Sequence, residues 1–541
     1  MADLDNAAVA ERLEAFAGLL DLAGASGYTS RAYRRAAETI RGTPAPILEL
    51  ARQGRAQELR GIGPGIAGRL RELAETGTIA ELDELRREVR PELVGFGRML
   101  GLAPKRTVEI AKALGIETVD EFRQAASEGR LRSAPGVGPA TEAKLLDRLH
   151  AQVDRPARGL TLNRSRPLVE EIAAALGGDV AGDPRRWADT SFDLAVVVPA
   201  AEPAPVVEAF ADLPQIVSLV EREERRATGV TVEGVPVVLA LPAPERFGTE
   251  LLRRTGSDAY VEALGSLPDA ADEQAVYEAL GVPWCPPELR EAPFHGEPPA
   301  LVEPADVRGD LHSHTTWSDG RASVREMALA ARERGYEYLA ICDHTENVRV
   351  VPGLDADAVR RQAEEIAAAN EELAPFRVLR GIEVDIRRDG SLDLPDDVLG
   401  ELDWVQLSLH AGQREERKAL TGKVVEAMRH PAVRCLSHPK GRIINHRPPN
   451  ALDLEEVLVV ALETGVALEV NGLPDRLDLS GEDARLAVEA GVPLVVSTDA
   501  HSIRGLANMK LAVATARRGW ATAANVLNTR PLAEVLAHRR R

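Results

Sequence analysis

The chain has 541 residues and a mass of 58.3 kDa, too long for one hydrophobic core, so roughly three or four domains are expected. It is 44% hydrophobic and 28% charged, the composition of a globular protein, and no apolar run reaches the roughly 18 residues that a membrane span needs. The net charge of −19 is uneven: 22 basic against 22 acidic residues in 1–150, 13 against 27 in 151–307, and 31 against 36 in 308–541. The chain as a whole is therefore excluded as a basic nucleic-acid binder, and any grip on a polyanion must come from local geometry.

The opening MADLDNAAVA has neither a basic n-region nor an apolar h-region, which argues against secretion. Cys285, Cys342 and Cys435 are the only cysteines, so neither a disulfide framework nor a cysteine zinc site is expected. A reducing cytoplasm is the expected setting. Residues 1–150 read as short helices. AAVAERLEAFAGLLDLAG carries apolar residues at helical spacing. Two glycine punctuations follow, LRGIGPGIAGRL at 59–70 and LRSAPGVGPATEAKLL at 131–146, with LGLAPKRTVEIAKALGI at 100–116 repeating the rhythm without Gly-x-Gly.

GIGPGIA and PGVGPAT look like helix-hairpin-helix turns. Gly61, Gly63, Gly65, Gly136 and Gly138 let the backbone turn tightly and come close to a ligand. The helix that follows opens with free N–H groups and a positive dipole end, which can hold a DNA phosphate without reading sequence. The plainer alternative is a glycine helix cap. Two turns, each after Leu-Arg and before a helix, favour non-sequence-specific DNA binding. A first helical domain is expected over 1–80 and a second over 81–154.

Residues 155–283 mix helices with FDLAVVV (192–198) and VTVEGVPVVLAL (230–241), expected strands of a small sheet. A Pro- and Glu-rich segment, 284–307, reads as a linker. Beyond it, over 308–541, short apolar runs alternate with helix-length segments. YLAIC, FRVLRGI, WVQLSL, VRCLS, VALEV, PLVVS and the stretch leading into Leu311 make about seven strands. The expectation is a parallel, closed or nearly closed α/β barrel.

What stands at those strand ends carries the chemistry. His312, His314, His344, His410, His438 and His501 are six of the chain's 11 histidines, and Asp319, Glu383 and Asp499 accompany them. The carboxyl ends of barrel strands converge on one face, so these residues would surround one cleft. Nine ligands exceed the roughly four of one zinc and suit two or three divalent ions. Imidazole and carboxylate without thiolate fit Zn²⁺, Mn²⁺ or Fe²⁺. Clustered ions roughly 3.5–4 Å apart clamp a phosphoryl group and activate water, so phosphoester hydrolysis is expected. Any one of these histidines alone would read as an ordinary core residue, as His430 and His446 do.

DLHSHTTWSDG, CDHTE, GIEVDI, SLHAG, SHPKGR and STDAHS resemble the motifs of the PHP (polymerase and histidinol phosphatase) superfamily. The resemblance implies one metal held by His312, His314, Glu383 and Asp499. A second would be held by Asp319, His344 and His501, and a third by Glu383, His410 and His438, with Glu383 bridging. Glu383 and Asp499 are the expected catalytic carboxylates, and Arg442 is a candidate contact to substrate phosphate or, alternatively, a solvated surface arginine.

The order of parts, with YTSRAYRRAAETIR at 28–41 ahead of two hairpin turns, a small mixed domain and a PHP domain, resembles the bacterial family X DNA polymerases. It implies an α-helical N-terminal region, an α+β nucleotidyltransferase-like palm and a distorted (β/α)7 PHP barrel. The palm departs from the family pattern. In AGDPRRWADTSFDLAV, Asp183 replaces the Ser before Arg185 and Arg186, and Asp193 fills the first carboxylate position. Ala195 and Val238 stand at the second and third. TGSDAY (255–260) still resembles the nucleotide-pocket turn. One carboxylate cannot hold the two ions of nucleotidyl transfer. Arg69 stands where the family's lyase uses a Schiff-base lysine, and Arg cannot supply a neutral amine.

The expected function is a DNA-binding, metal-dependent phosphoesterase, a 3′→5′ exonuclease or 3′-end processing enzyme of DNA repair with polymerase activity lost. The alternatives are an active repair polymerase with a PHP proofreader, a histidinol-phosphatase-like enzyme, and a non-catalytic DNA-binding scaffold. The expected state is a cytoplasmic monomer.

Overall fold

The computed structural model describes residues 6–538 except 23–26, 42–46, 60, 91–92, 95–96, 98–99, 101, 151–158, 232–234, 294–295, 349–351 and 446; His446 thus lies outside the described residues. No described helix is long and apolar enough to cross a membrane.

Helices Asn6–Leu22, Gly27–Arg41, Ile47–Arg52, Pro64–Thr76 and Ala80–Val89 open the chain. They share one core around Leu13, Phe16, Leu19, Ile40 and Leu70. Leu82, Val89 and Val94 belong to that core as well, so the apolar face of the fifth helix packs across the boundary expected at residue 80. Arg69 pairs with Glu81 and lies over the Phe16 ring at 5.4 Å. A second small core, around Ile110, Phe122 and Leu131, is built by helices Pro104–Leu114, Val119–Ser127 and Pro139–His150. Thr118 and Glu121 form a capping box at the start of its middle helix.

The palm carries short strands β1 (Leu160–Thr161) and β3 (Thr190–Ser191), which pair antiparallel, and a five-stranded sheet. That sheet comprises β2 (Asp179–Gly182), β4 (Leu194–Val197), β5 (Ile216–Arg222), β6 (Arg226–Thr231) and β7 (Pro236–Ala240), in the order β2-β4-β7-β6-β5. β4 and β7 run parallel, and the other neighbours antiparallel. Val169, Ile172 and Phe210, from helices Leu162–Leu176 and Pro203–Ala211, fill one face. Leu251, from helix Phe247–Thr255, packs on the other against Ala181 and Ala195. β5 had no clear signal in the sequence because it is an edge strand whose end runs into the charged EREERR stretch.

The C-terminal barrel has seven strands: β8 (Gly309–Ser313), β9 (Tyr338–Ile341), β10 (Arg377–Asp385), β11 (Trp404–Ser408), β12 (Cys435–Leu436), β13 (Ala467–Asn471) and β14 (Leu494–Ser497). All neighbours are parallel, in sequence order. The seam between β8 and β14 is closed mostly by side chains. Asn528 Nδ2 donates to Gly309 O and Val496 O, both at 2.7 Å. Asp310 accepts from the Thr498 hydroxyl and, at 3.2 Å, from its backbone N–H. This is the nearly closed barrel the strand pattern predicts.

The 284–307 segment is not a loose linker. Arg290 is fully buried, donating to Cys285 O (2.9 Å) and Glu273 Oε1 (2.5 Å). Val302 N–H donates to Ala521 O at 2.9 Å, and Arg517 of the barrel donates to Glu288 at 2.9 Å and Glu303 at 2.5 Å. Proline and glutamate make the segment read as a spacer. Leu289, Arg290 and Val302 instead wedge it between palm and barrel.

Candidate metal centre

All nine expected ligands meet at the carboxyl end of the barrel. Three sets of ligand atoms lie within 4.8 Å of one another: His312, His314 and Asp499; His314, Asp319, His344 and His501; and His344, Glu383 and His410. Two details differ from the expected partition. His314 serves two sets, with Nε2 3.0 Å from Asp499 Oδ1 and Nδ1 3.9 Å from Asp319 Oδ1. His344 faces Glu383 Oε2 at 2.7 Å, alongside His410 and His438, which lie 3.6 and 2.9 Å from Glu383 Oε1. Glu383 also lies 3.7 Å from His312 and 3.8 Å from His314, so its carboxylate sits between all three sets.

The donor set fits divalent ions. His314 Nδ1, His344 Nδ1, Glu383 Oε2, His410 Nδ1 and His438 Nδ1 are buried and have no hydrogen-bond partner. Buried polar atoms are almost always satisfied, and the unsatisfied His314 Nδ1, His344 Nδ1 and Glu383 Oε2 belong to side chains whose ligand atoms crowd within 4.8 Å of their neighbours, which suits a cation site. Burial alone would raise Glu383 and Asp499, but the surrounding histidines outweigh it and hold both carboxylates well below their ordinary range. Burial, with His501 and His344 nearby, pulls His314 down to about 3, so its imidazole is neutral. Burial opposes charge on His501 too, but Asp319 and Asp499 push it up to about 9. His438 (φ 24°) and Asp499 (φ 50°) adopt left-handed backbone, rare outside glycine and typical of residues held for function.

Around the ligands stands a buried ring that the sequence reading did not pick out. Glu469 of β13 accepts from His312 Nδ1 (2.6 Å), Ser497 Oγ (2.6 Å) and His438 N–H (2.7 Å). Asp385 accepts from His410 N–H at 2.9 Å. Asp343 takes Thr315 N–H, Thr315 Oγ1, Ser318 Oγ and Gln362 Nε2, all within 2.5–2.7 Å, and so shapes the turn that presents Asp319. A lone Glu inside the apolar run VALEV was the available signal. The centre opens on one side only: the side chains of Asp319, His410 and His501 are 25%, 18% and 32% exposed, against 0% for His312 and His314.

Arg442 does not face this centre. Its guanidinium bonds to Asp189 of the palm and to the carbonyls of Arg476 and Leu477. Arg518 joins the same Asp189 at 2.6 Å. Arg442 is thus neither a free phosphate contact nor a solvated surface residue; palm and barrel are pinned through it.

The palm positions are equally plain. Ala195 and Val238 are directly paired across β4 and β7. Ala195 is fully buried and both pack with Ala181, Val197 and Leu251. Asp193 immediately precedes β4, and its carbonyl accepts from Asp183 N–H at 2.9 Å. Arg185 is bound to Glu273 at 2.7 and 2.8 Å and Arg186 to Asp183 and Thr255 O at 2.5 Å. Ser257, in the TGSDAY turn, donates to Glu291 O at 2.7 Å. The wedge segment therefore bonds to the turn that resembles a nucleotide pocket.

At the hairpins, Gly61 (φ 95°) and Gly136 (φ 72°) occupy conformations that favour glycine. Buried Ile62 and Val137 anchor each turn between exposed glycines. Gly63 caps helix Pro64–Thr76. A β-carbon built on Gly63, Gly65 or Gly138 would meet nothing within 4 Å, so these glycines border open space.

Comparison with known proteins matches these parts. Residues 4–79 match the helix-hairpin-helix domain, 98–151 the SAM-like helix-hairpin-helix tandem, and 310–471 the PHP domain. The tandem takes in the 100–116 rhythm that lacks Gly-x-Gly. The chain is 28% identical over 232 residues to a "Probable phosphatase" of Thermoanaerobacter sp. (strain X514), covering 41% of this chain and 89% of that protein. A "Probable phosphatase" of Acetivibrio thermocellus is 30% identical over 201 residues, 36% of this chain and 78% of that one. The DNA polymerase/3′-5′ exonuclease PolX of Bacillus subtilis (strain 168) is 33% identical over 562 residues, spanning 98% of both chains. With a PHP domain, a metal-dependent phosphoesterase fold, behind its helix-hairpin-helix units and palm, the chain belongs to the PolX family of bacterial family X DNA polymerases.

Proposed function

We propose that this protein is a DNA-bound, metal-dependent 3′→5′ exonuclease or 3′-end phosphodiesterase acting in DNA repair, with templated polymerisation lost. The observation that carries the reading is the convergence of nine histidines and carboxylates, several with buried atoms that lack a hydrogen bond, at the part-exposed end of the barrel. Two or three Mn²⁺, Zn²⁺ or Fe²⁺ ions held there would supply an activated water and polarise the phosphodiester. His312, His314, Glu383 and Asp499 would hold one site, Asp319, His344 and His501 with His314 the second, and Glu383, His410 and His438 with His344 the third. Glu469 accepts the Nδ1 proton of His312, which leaves the Nε2 lone pair facing Glu383 and Asp499. The strand end enters past Asp319, His410 and His501, on the exposed side.

DNA is held elsewhere, by the first-turn N–H groups behind Gly63 and Gly138, which grip phosphate without reading bases. The palm holds only one of the three family carboxylates, and a cross-strand pair of buried Ala195 and half-buried Val238 occupies the other two positions. The phosphatase relatives align with little more than a third of the chain, which leaves the DNA-binding half unexplained under a small-molecule reading.

End-labelled DNA with Mn²⁺, with and without the four nucleotides, is the decisive assay. Digestion from the 3′ end and no extension are expected. His312→Ala and Glu383→Ala should each lower hydrolysis by at least about a hundredfold in a chain that still folds. Extension by the wild type that Asp193→Ala removes would refute the reading of the palm, and metal analysis finding one ion or none would refute the centre.

A further inference from the structure

Three loops at the ligand-bearing end of the barrel are sewn together, and each brings an arginine. Arg414 follows His410 in the loop after β11, Arg447 lies in the loop after β12, and Arg476 in the loop after β13. Gln413 Nε2 donates to Leu409 O at 2.7 Å, and its amide packs on Gly441, where an added β-carbon would meet it at 2.7 Å. Arg447 Nε donates to Gly441 O at 2.9 Å, and Arg442 Nε to Arg476 O at 2.8 Å. The three loops are thus tied to one another through Gly441 and Arg442, and Arg447 lies within electrostatic reach of Arg414 and Arg476.

No ion pair neutralises them among the described residues. Arg476 Nη1 is buried and has no hydrogen-bond partner. Arg447 is pulled below its ordinary value first by burial, then by Arg476 and Arg414, with only Asp478 opposing. Asp478 is fully buried and accepts Lys440 N–H at 3.2 Å. Of the other acidic groups on these loops, Glu415 is bound by Lys423 at 2.6 Å and Asp475 is exposed. Arg442 already has Asp189. Arg447 also lines a cleft of about 860 Å³ between palm and barrel, with Lys440, Asn445 and the acidic Asp189, Glu482 and Asp483; Asp189 is taken up by Arg442 and Arg518. Like charges without a carboxylate at ion-pair distance repel one another unless an anion joins them.

We propose that Arg414, Arg447 and Arg476 form a phosphate subsite that holds a backbone phosphate of the DNA strand next to the one being hydrolysed. The assignment rests on the nuclease reading above and adds its substrate class: a polynucleotide strand rather than an isolated phosphoester. Arginine suits the task because its planar fork binds phosphate oxygens in pairs. The loop that carries Arg414 also carries His410, one of the three exposed ligands, so a strand entering the open side passes the cluster.

The test uses the full chain with Mn²⁺, the double variant Arg447→Gln/Arg476→Gln, and the milder Arg447→Lys. Unchanged metal content checks that both variants fold. Hydrolysis of bis-p-nitrophenyl phosphate, which has no neighbouring phosphate, should be unaffected. Hydrolysis of a thymidine pentanucleotide should fall on the order of ten- to a hundredfold in kcat/KM in the double variant, with partial retention in Arg447→Lys. In parallel, pentanucleotide binding in chelator should weaken, and its salt slope should drop by roughly 0.7 for one lost phosphate contact. Equal pentanucleotide hydrolysis and binding in wild type and double variant would overturn the subsite while leaving the nuclease intact. If the wild type hydrolyses neither substrate, the nuclease reading fails and the binding comparison alone decides the subsite.

Discussion

Glu469 accepts a 2.6 Å hydrogen bond from His312 Nδ1, and both side chains are wholly buried. The pair fixes the tautomer of the first histidine of the barrel. The same carboxylate also takes the Ser497 hydroxyl and the His438 N–H, so it orients ligands from two strands. Burial alone would raise Glu469, but His312 outweighs it and keeps the carboxyl below its ordinary range. Glu469→Gln should lower metal affinity about ten- to a hundredfold, measured by titration of the metal-stripped chain. Undiminished affinity would mean that Glu469 serves packing alone.

The hairpin glycines separate stability from DNA binding. Gly61 and Gly136 have positive φ, so Gly61→Ala should destabilise the first helical domain by about 1–2 kcal/mol in denaturant unfolding. Gly63 has φ −78° and open space around it. Gly63→Val should therefore leave the unfolding midpoint nearly unchanged yet weaken DNA binding, because the added methyl groups occupy the space a phosphate would approach. Equal DNA affinity in Gly63→Val and wild type would remove this turn from the DNA interface.

In the palm, reinstating carboxylates is expected to fail for a structural reason. Ala195 is fully buried beneath Leu251 and beside Val238. Ala195→Asp would bury an unpaired carboxylate and should destabilise the chain by roughly 2–4 kcal/mol. Ala195→Asp/Val238→Asp should show no primer extension with Mg²⁺ or Mn²⁺. Extension by the double variant would show that the palm tolerates a working centre.

Part of the chain's acid sensitivity should come from Glu273. Burial would raise this carboxyl, but Arg185 and Arg290 outweigh it and hold it below the ordinary 4.5. A depressed folded value contributes stability above the unfolded value and loses it as pH falls through the folded one. Wild-type stability should therefore decline as pH drops below about 4.5, while Glu273→Gln should be less stable at pH 7 and flatter over that window. Parallel curves for the two proteins would show that the ion pair adds nothing.

The sequence by itself determined the seven barrel strands, the nine histidines and carboxylates that meet at their ends, and both hairpin turns. Each is written in a local pattern: a short apolar run ending in His, Asp or Glu, or Gly-x-Gly before a helix. Ala195 and Val238 are identified through the resemblance to the family X palm, and the β4–β7 register places them side by side. Tertiary structure alone decided which atoms meet. Glu469, Asp343 and Asp385 are single acids inside apolar or mixed runs, and their role appears only where a strand from elsewhere delivers a histidine or a hydroxyl. Arg442 sits beside a ligand in sequence, yet its charge is spent on Asp189, 253 residues away. The 284–307 segment has a spacer's composition, and only the packed chain shows Arg290 buried against Glu273 and Tyr277 and Val302 in the barrel core. Local pattern fixes a residue's element and face; long-range partners, on which charge and burial depend, are set by how the elements pack.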